Sequence, residues 1–342
     1  MVVRAIRSDD LDSLMKLAGE VGTGMTTLKP DALMLGRRIA LACASFAGEI
    51  PPEQCDFVFV MEDTDTAKVV GVCAIKSAVG LDQPFYNYRI GSLVHSSSEL
   101  NVYSRMETLY LSNDLTGCSE LCSLFLHPDY RSAHNGKLLS KSRFLFMAQF
   151  PHLFADKVIA ELRGFQRADG SSPFWDNLGR HFFKMDFKRA DDLSSIGKKS
   201  FIAELMPRHP LYVVYLPQEA QDVIGQVHVA TIPARRLLEQ EGMYYDGYVD
   251  IFDAGPVVQS RVNELRSVRE SRLVPVMTLS ASVALSSTPQ LMLVSSSALR
   301  EFRTILSEAS PKNGRMPLSH QQQQILHCKT AESVRVMPLL CL

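Results

Sequence analysis

The chain has 342 residues, 46% hydrophobic and 21% charged, which is the balance of a globular protein with room for two or three cores. A formal net charge of −1 excludes the basic footprint of a nucleic-acid binder and any electrostatic attraction to an anionic membrane. No run approaches the roughly 18 apolar residues of a spanning helix, and the start, MVVRAIRSDDLDSL, turns acidic where a signal peptide would be apolar, so a cytoplasmic location is expected.

VVRAIR (2–7) reads as a strand. Ser8 is its candidate helix cap, and Leu11, Leu14, Met15 and Ala18 fall on one helical face. A second helix is expected from Asp31 to about Phe46, stopped by the Gly48, Pro51 and Pro52 loop. DFVFVMED (56–63) and KVVGVCAIK (68–76) form a hairpin across the polar turn TDTA. Strands continue at YNYRIGSLVHSS (86–97), ETLYLSND (107–114) and the apolar SELCSLFL (119–126). A helix to about Phe150, a strand DKVIAELRG (156–164), a short helix FWDNLGRHFF (174–183) and a strand-like KMDFKRA follow.

FWDNLGRHFFKMDF (174–187) is echoed by LLEQEGMYYDGYVDIFD (237–253), each read as a helix ending at glycine before an aromatic strand, which points to partial internal duplication. From about Val268 the chain breaks into short β-rich pieces: SRLVPVMTL, QLMLVSSS, FRTILSEA and SVRVMPLL, with a helix over QQQQILHC. These predict a small barrel-like domain. The expected division is 1–190, 191–265 and 266–342.

The seven cysteines (43, 55, 73, 118, 122, 328 and 341) are odd in number and mostly set in apolar runs, as reduced core thiols are. Cys118 and Cys122 lack a nearby second Cys/His pair, so no metal is expected.

The chemistry concentrates in LHPDYRSAHNGKLLSKSRF (126–144), where a buried strand passes through a loop into a Leu-rich helix. A helix N-terminus offers unpaired N–H groups and a positive dipole end, which suit phosphate. Asn135 and Gly136 let backbone come close to such a ligand. Leu138, Leu139, Leu145, Phe146 and Phe150 anchor the helix behind. The stretch reads either as a pyrophosphate cradle or as a plain capped connection.

The order strand, helix, helix, hairpin, then strand–R-x-x-x-x-G–helix resembles the GCN5-related N-acyltransferases, whose phosphate loop has the form R/Q-x-x-G-x-G/A. Arg131 and Gly136 are in register with it, and His134 stands where that pattern has its first glycine. FWDNLG resembles the later F-Y-E-K-L-G segment of that fold. SELCSLFLHPDYR, SPFWDNLGRHFFKMDF, FIAELMPRHP, EAQDVIGQVH and DIFDAGP together resemble the bacterial arginine N-succinyltransferase family, over residues about 1 to 260.

The resemblance implies an α/β fold, a mixed acyltransferase-like sheet with flanking helices. It implies transfer of succinyl from succinyl-CoA, as co-substrate with no permanently bound cofactor, to the α-amino group of L-arginine, in arginine degradation. Some members are one of two related subunits that also accept ornithine, so the chain is expected as a homo-oligomer or as a subunit, the alpha one, of a hetero-oligomer. Trp175 replaces the tyrosine that protonates the thiolate in many acyltransferases of this fold, and indole is too weak an acid. His228, ending EAQDVIGQVH, matches the family's proton donor. Leu124 matches its acyl-CoA contact, and Leu126, Arg131, Ser132, Asn135, Gly136 and Lys137 complete the expected CoA site. Glu120 is a candidate proton acceptor and Asp114 a candidate guanidinium partner. Arg89, Lys141 and Arg143 are equal candidates for the succinyl carboxylate. A CoA-dependent acyltransferase of another amine, and a non-catalytic partner subunit, remain open.

Overall fold

The computed structural model describes the chain except residues 22–24, 26, 133, 196–199, 208, 280–289 and 341–342. The first half is built from β1 (Val2–Ala5), β2 (Asp56–Glu62), β3 (Val69–Lys76), β4 (Asn87–Ser97), β5 (Val102–Ser112), β6 (Ser119–Leu126) and β7 (Lys157–Glu161). The second half adds β8 (Leu211–Tyr212), β9 (Tyr244–Asp250), β10 (Pro256–Arg261), β11 (Arg272–Thr278), β12 (Met292–Ser295), β13 (Arg303–Ser307), β14 (Met316–Leu318) and β15 (Ser333–Pro338). All fifteen join one sheet in the order β14-β11-β15-β12-β13-β1-β2-β3-β6-β7-β10-β9-β4-β5-β8. The chain is therefore α/β with a large mixed sheet, and the β-rich tail continues that sheet through the pairing of β13 with β1.

Three helices matter for the site: α1 (Leu11–Glu20), α2 (Ala32–Ala47) and α3 (Asn135–Gln149). Ser8 opens a 3-10 turn before α1 instead of capping it. The start is held by Asp10, whose carboxylate accepts from the Arg7 backbone and from two Arg4 nitrogens. α2 is capped by Asp31, whose side chain accepts from the Met34 N–H at 2.9 Å, and it ends at Gly48 with φ 72°. In α3 every residue from Leu138 to Ala148 is buried, and Phe146 packs edge-on against Phe46, Phe59 and Phe302. Helix, β2 strand and tail thus share one core.

Two expectations need correction. KMDFKRA is not strand-like: Phe187–Ser195 is a helix, introduced by Asp186, whose carboxylate accepts from the Arg189 N–H. The echo with 237–253 therefore fails in its first copy, because Gly179 lies inside a continuous helical segment (Trp175–Gly179, then Arg180–Phe183) and no strand follows. The second copy is as read, with helix Ile232–Gln240 leading to β9. Trp175 is fully buried, stacked on Phe183 and Phe252, with its Nε1 donating to the Met185 carbonyl. A Cβ on Gly179 would come within 2.3 Å of the indole, so glycine there makes room for the ring.

Candidate active site

The sheet is antiparallel wherever β2, β3, β6 and β10 meet their neighbours, except at β6 and β7, which run parallel. Their pairing lasts two residues, Ser119 opposite Val158 and Glu120 opposite Ile159. Beyond that the strands diverge, and a cleft of about 370 Å³ opens between them, within the range of small-molecule sites. Its walls are residues 120–125 of β6, residues 160–163 at the end of β7, and Ala230, Thr231, Ala234 and Leu238 from the 230–238 segment. Glu20, Val21, Met25 and Thr27 close one side, with Arg131 and Arg143 contributing from the loop and from α3.

β6 carries a bulge facing the cleft. Between the pairs Val72–Phe125 and Ala74–Cys122 it has one more residue than β3, and Ser123 sits at φ 54°. A bulge re-aims the side chains around it. This one is pinned by the Ser123 hydroxyl, which donates to Thr27 Oγ1 and accepts from Arg38 Nη1, both at 2.8 Å. Arg38 is in turn bound by both oxygens of Asp56.

At the mouth, the loop after β6 leads into α3. His134 is the N-cap residue and makes no capping hydrogen bond; its Nδ1 is buried without a partner among the described residues. The first-turn N–H groups of α3 have no carbonyl within the helix to bond. A Cβ added at Gly136 would meet nothing within 4 Å, so the approach to this turn is open. Asn135 holds the loop through its amide, which donates to the Tyr130 carbonyl. Arg131 folds back to donate from Nε to the Leu126 carbonyl, with its guanidinium over the Phe125 ring. Ser132 is exposed, Lys137 half-buried, and Leu124 is part of the cleft wall. His127 is engaged locally, accepting from the Asp129 N–H and pairing with Glu20 at 3.2 Å.

His228 stands beside the end of β7, its N–H bonded to the Arg163 carbonyl and Gly164 bridged to Val227. It caps a 3-10 turn, Val229–Thr231, by accepting the Ala230 N–H on Nδ1 at 3.2 Å. That contact puts the proton of the neutral ring on Nε2. Burial, and secondarily the Arg163 charge, hold His228 below the ordinary imidazole value. Both neighbours, Arg163 and Ala230, line the cleft.

The remaining candidates separate. Glu120 is buried in the cleft wall, opposite Lys76 in register. Burial works against the Lys76 ammonium, but Glu120, with Cys122 and Asp56, holds it above its ordinary value. Asp114 and Arg89 pair with each other at 3.5 Å, joined by the Tyr248 hydroxyl, which donates to Asp114. Neither is a cleft residue. Lys141 is not a cleft residue: it is sealed in an ion pair with Glu241, which also accepts the N–H and hydroxyl of Ser267. Arg143 alone of the three cations lines the cleft. Sequence reasoning missed Glu161 and Arg163; their signal is a charged end on an apolar parallel strand, where ligands of α/β sheets gather.

The arginine N-succinyltransferase beta subunit model matches residues 1–267. The chain belongs to the arginine N-succinyltransferase family. It is 49% identical over 339 residues to an Escherichia coli protein named arginine N-succinyltransferase, covering 99% of this chain and 98% of that one. The same identity and coverage hold for a Shigella flexneri protein of that name. The structure of arginine/ornithine succinyltransferase subunit AI from Pseudomonas aeruginosa superposes with a TM-score of 0.90 at 34% identity, with 99% of each chain covered. Family membership makes the chain an acyltransferase, with the acyltransferase-like fold expected from its motifs. The matching model is described as a beta subunit, where the sequence suggested the alpha one.

Proposed function

We propose that this chain transfers the succinyl group of succinyl-CoA to the α-amino group of L-arginine, giving N2-succinylarginine and CoA, as a cytoplasmic step of arginine degradation. The observation that carries the reading is the N-terminus of α3, which no side chain caps, placed at the mouth of the splay between β6 and β7. In the described residues no helix is long and apolar enough to cross a membrane.

In this reading the α3 first turn, with Ser132, Asn135, Gly136 and Lys137, takes the CoA pyrophosphate. The pantetheine arm runs along β6 beyond the two residues that pair with β7, past Leu124 in the cleft wall and Leu126 at the strand's end. Glu120, near the point where the strands rejoin, takes the ammonium proton of arginine through water, and the neutral amine then attacks. His228 returns a proton to the departing thiolate. Because the imidazole is held neutral at pH 7, it is charged by the proton that the attacking amine sheds and acts as a relay. Asp114 and Arg89 take no part in this account, since they satisfy each other outside the cleft. We divide the chain into 1–190, which binds CoA, 191–265, which brings His228, and 266–342, which extends the sheet, and we propose an oligomer formed with itself or with a related subunit.

The test is thiol release by the purified chain with succinyl-CoA and a panel of amino acids. Release with arginine, and less with ornithine, is expected; no release with any amine supports a non-catalytic subunit. His228→Ala should fold and bind succinyl-CoA like the parent yet lose about 10²–10⁴-fold in kcat. The acid limb of the parental kcat/KM profile should lie below 6.5, since His228 must be neutral in the free enzyme and its pKa is lowered, and should vanish in the variant. A variant keeping a third of parental kcat removes His228 from the mechanism.

A further inference from the structure

Most buried cations among the described residues come with acids. Arg4 pairs with Asp10 and Glu62, Arg38 with Asp56, and Lys141 with Glu241. Arg303 is the exception: it feels Arg7 and Arg4 as well as Glu301 and Glu62, donates to the Ile325 carbonyl, and lies away from the cleft. Arg143 is 2% exposed, lines the cleft and forms no ion pair among the described residues. Its contacts are long and neutral: Nε to the Ser140 carbonyl at 3.3 Å, Nη2 to Ser140 Oγ at 3.2 Å, and Nη1 to the Cys122 carbonyl at 3.5 Å.

Three of five N–H groups are used in this way, and none meets a charged acceptor. The ionisable groups acting on it are the thiols of Cys73 and Cys122, both raised by burial and so uncharged at neutral pH. An uncompensated buried guanidinium is costly, and burial lowers its own pKa. A planar fork in this situation fits a carboxylate two-pronged.

Its position says which carboxylate. Arg143 lies eight residues beyond the start of α3, about 12 Å along the helix axis from the phosphate-binding turn, so the pyrophosphate is out of reach. It touches Cys122, five residues back along β6 from His127, about 16 Å of strand, which an extended pantetheine arm spans. What stands at the end of that arm is the acyl group. We infer that Arg143 is the residue that binds the free carboxylate of the succinyl group and so selects a dicarboxylic acyl-CoA over acetyl-CoA. This rests on the succinyl-CoA reading above and names its selecting residue.

The experiment measures kcat/KM for succinyl-CoA and acetyl-CoA, with arginine and with arginine amide, in the parent, Arg143→Met and Arg143→Lys. For Arg143→Met, succinyl-CoA turnover should fall at least about 30-fold and acetyl-CoA turnover should hold or rise, while unacylated CoA binds as before. Arg143→Lys should keep part of the preference. Since Met removes an uncompensated buried charge, its melting temperature should match or exceed the parental one, which separates lost recognition from lost fold. An unchanged succinyl-to-acetyl ratio, or equal losses with both donors, overturns the inference. So does a loss seen with arginine but absent with arginine amide, which would assign Arg143 to the amino acid's carboxylate. A parent inactive with succinyl-CoA would instead sink the function reading itself.

Discussion

α2 and α3 both pack on the sheet, yet they are built to different ends. α2 has a side-chain cap at Asp31, a left-handed glycine at Gly48 and one inward cation, Arg38, which Asp56 pairs. α3 has no capping side chain and keeps Lys141 and Arg143 inside. The first helix satisfies its own ends; the second leaves donors and a charge unsatisfied at the cleft. The difference is the one that the proposed ligand-binding role of α3 requires, and it holds even between two residues of α3, one sealed by Glu241 and one left open.

The comparison can be broken at its strongest point. Glu241→Leu removes the acid from a pair that is nearly solvent-free, and should destabilise the protein by about 3–5 kcal/mol, read as the urea midpoint at constant slope. Adding Lys141→Met should recover much of that loss, because a buried pair replaced on both sides by apolar groups is close to neutral. If Glu241→Leu alone is silent, Lys141 is not held as described. At the other end of the helix, Gly136→Val should leave stability nearly intact, as nothing lies within 4 Å of the new Cβ, while CoA affinity falls about tenfold or more in calorimetry by obstruction of the turn. Unchanged affinity would take the pyrophosphate away from this turn. The smallest effect belongs to α2: Asp31→Ala should cost about 1 kcal/mol for the lost cap and leave CoA affinity untouched.

Much of this was legible from pattern. The apolar run 119–126 followed by R-x-x-x-x-G and a Leu-rich stretch announces both β6 and the exposed start of α3, because local chemistry fixes each. The hairpin of β2 and β3 follows from its polar turn. What pattern could not give is who stands opposite. Lys141 and Arg143 look equivalent in sequence, and they part company only because Glu241, a hundred residues on, faces one of them. KMDFKRA looks extended because Met185 and Phe187 alternate with charged residues, yet the Asp186 cap and burial of Phe187 among Trp175 and Phe183 draw it into a helix. The hairpin of β4 and β5 runs five residues earlier than its apolar signal, since β5 starts at Val102 on exposed residues.

The two-residue contact between β6 and β7 has a mechanical side. A sheet resists tearing through its ladder of hydrogen bonds, and here the ladder stops short inside the molecule, so the cleft is a crack with its tip at Glu120 and Ile159. Cracks concentrate load. α3 lies across the back of this one like a splint, its Leu138, Leu139 and Phe144 to Met147 sharing a core with Cys73 and Ile75 on one side and Val158, Ala160 and Val258 on the other. The opening can therefore stay wide enough for a threaded arm without the two halves of the sheet peeling apart.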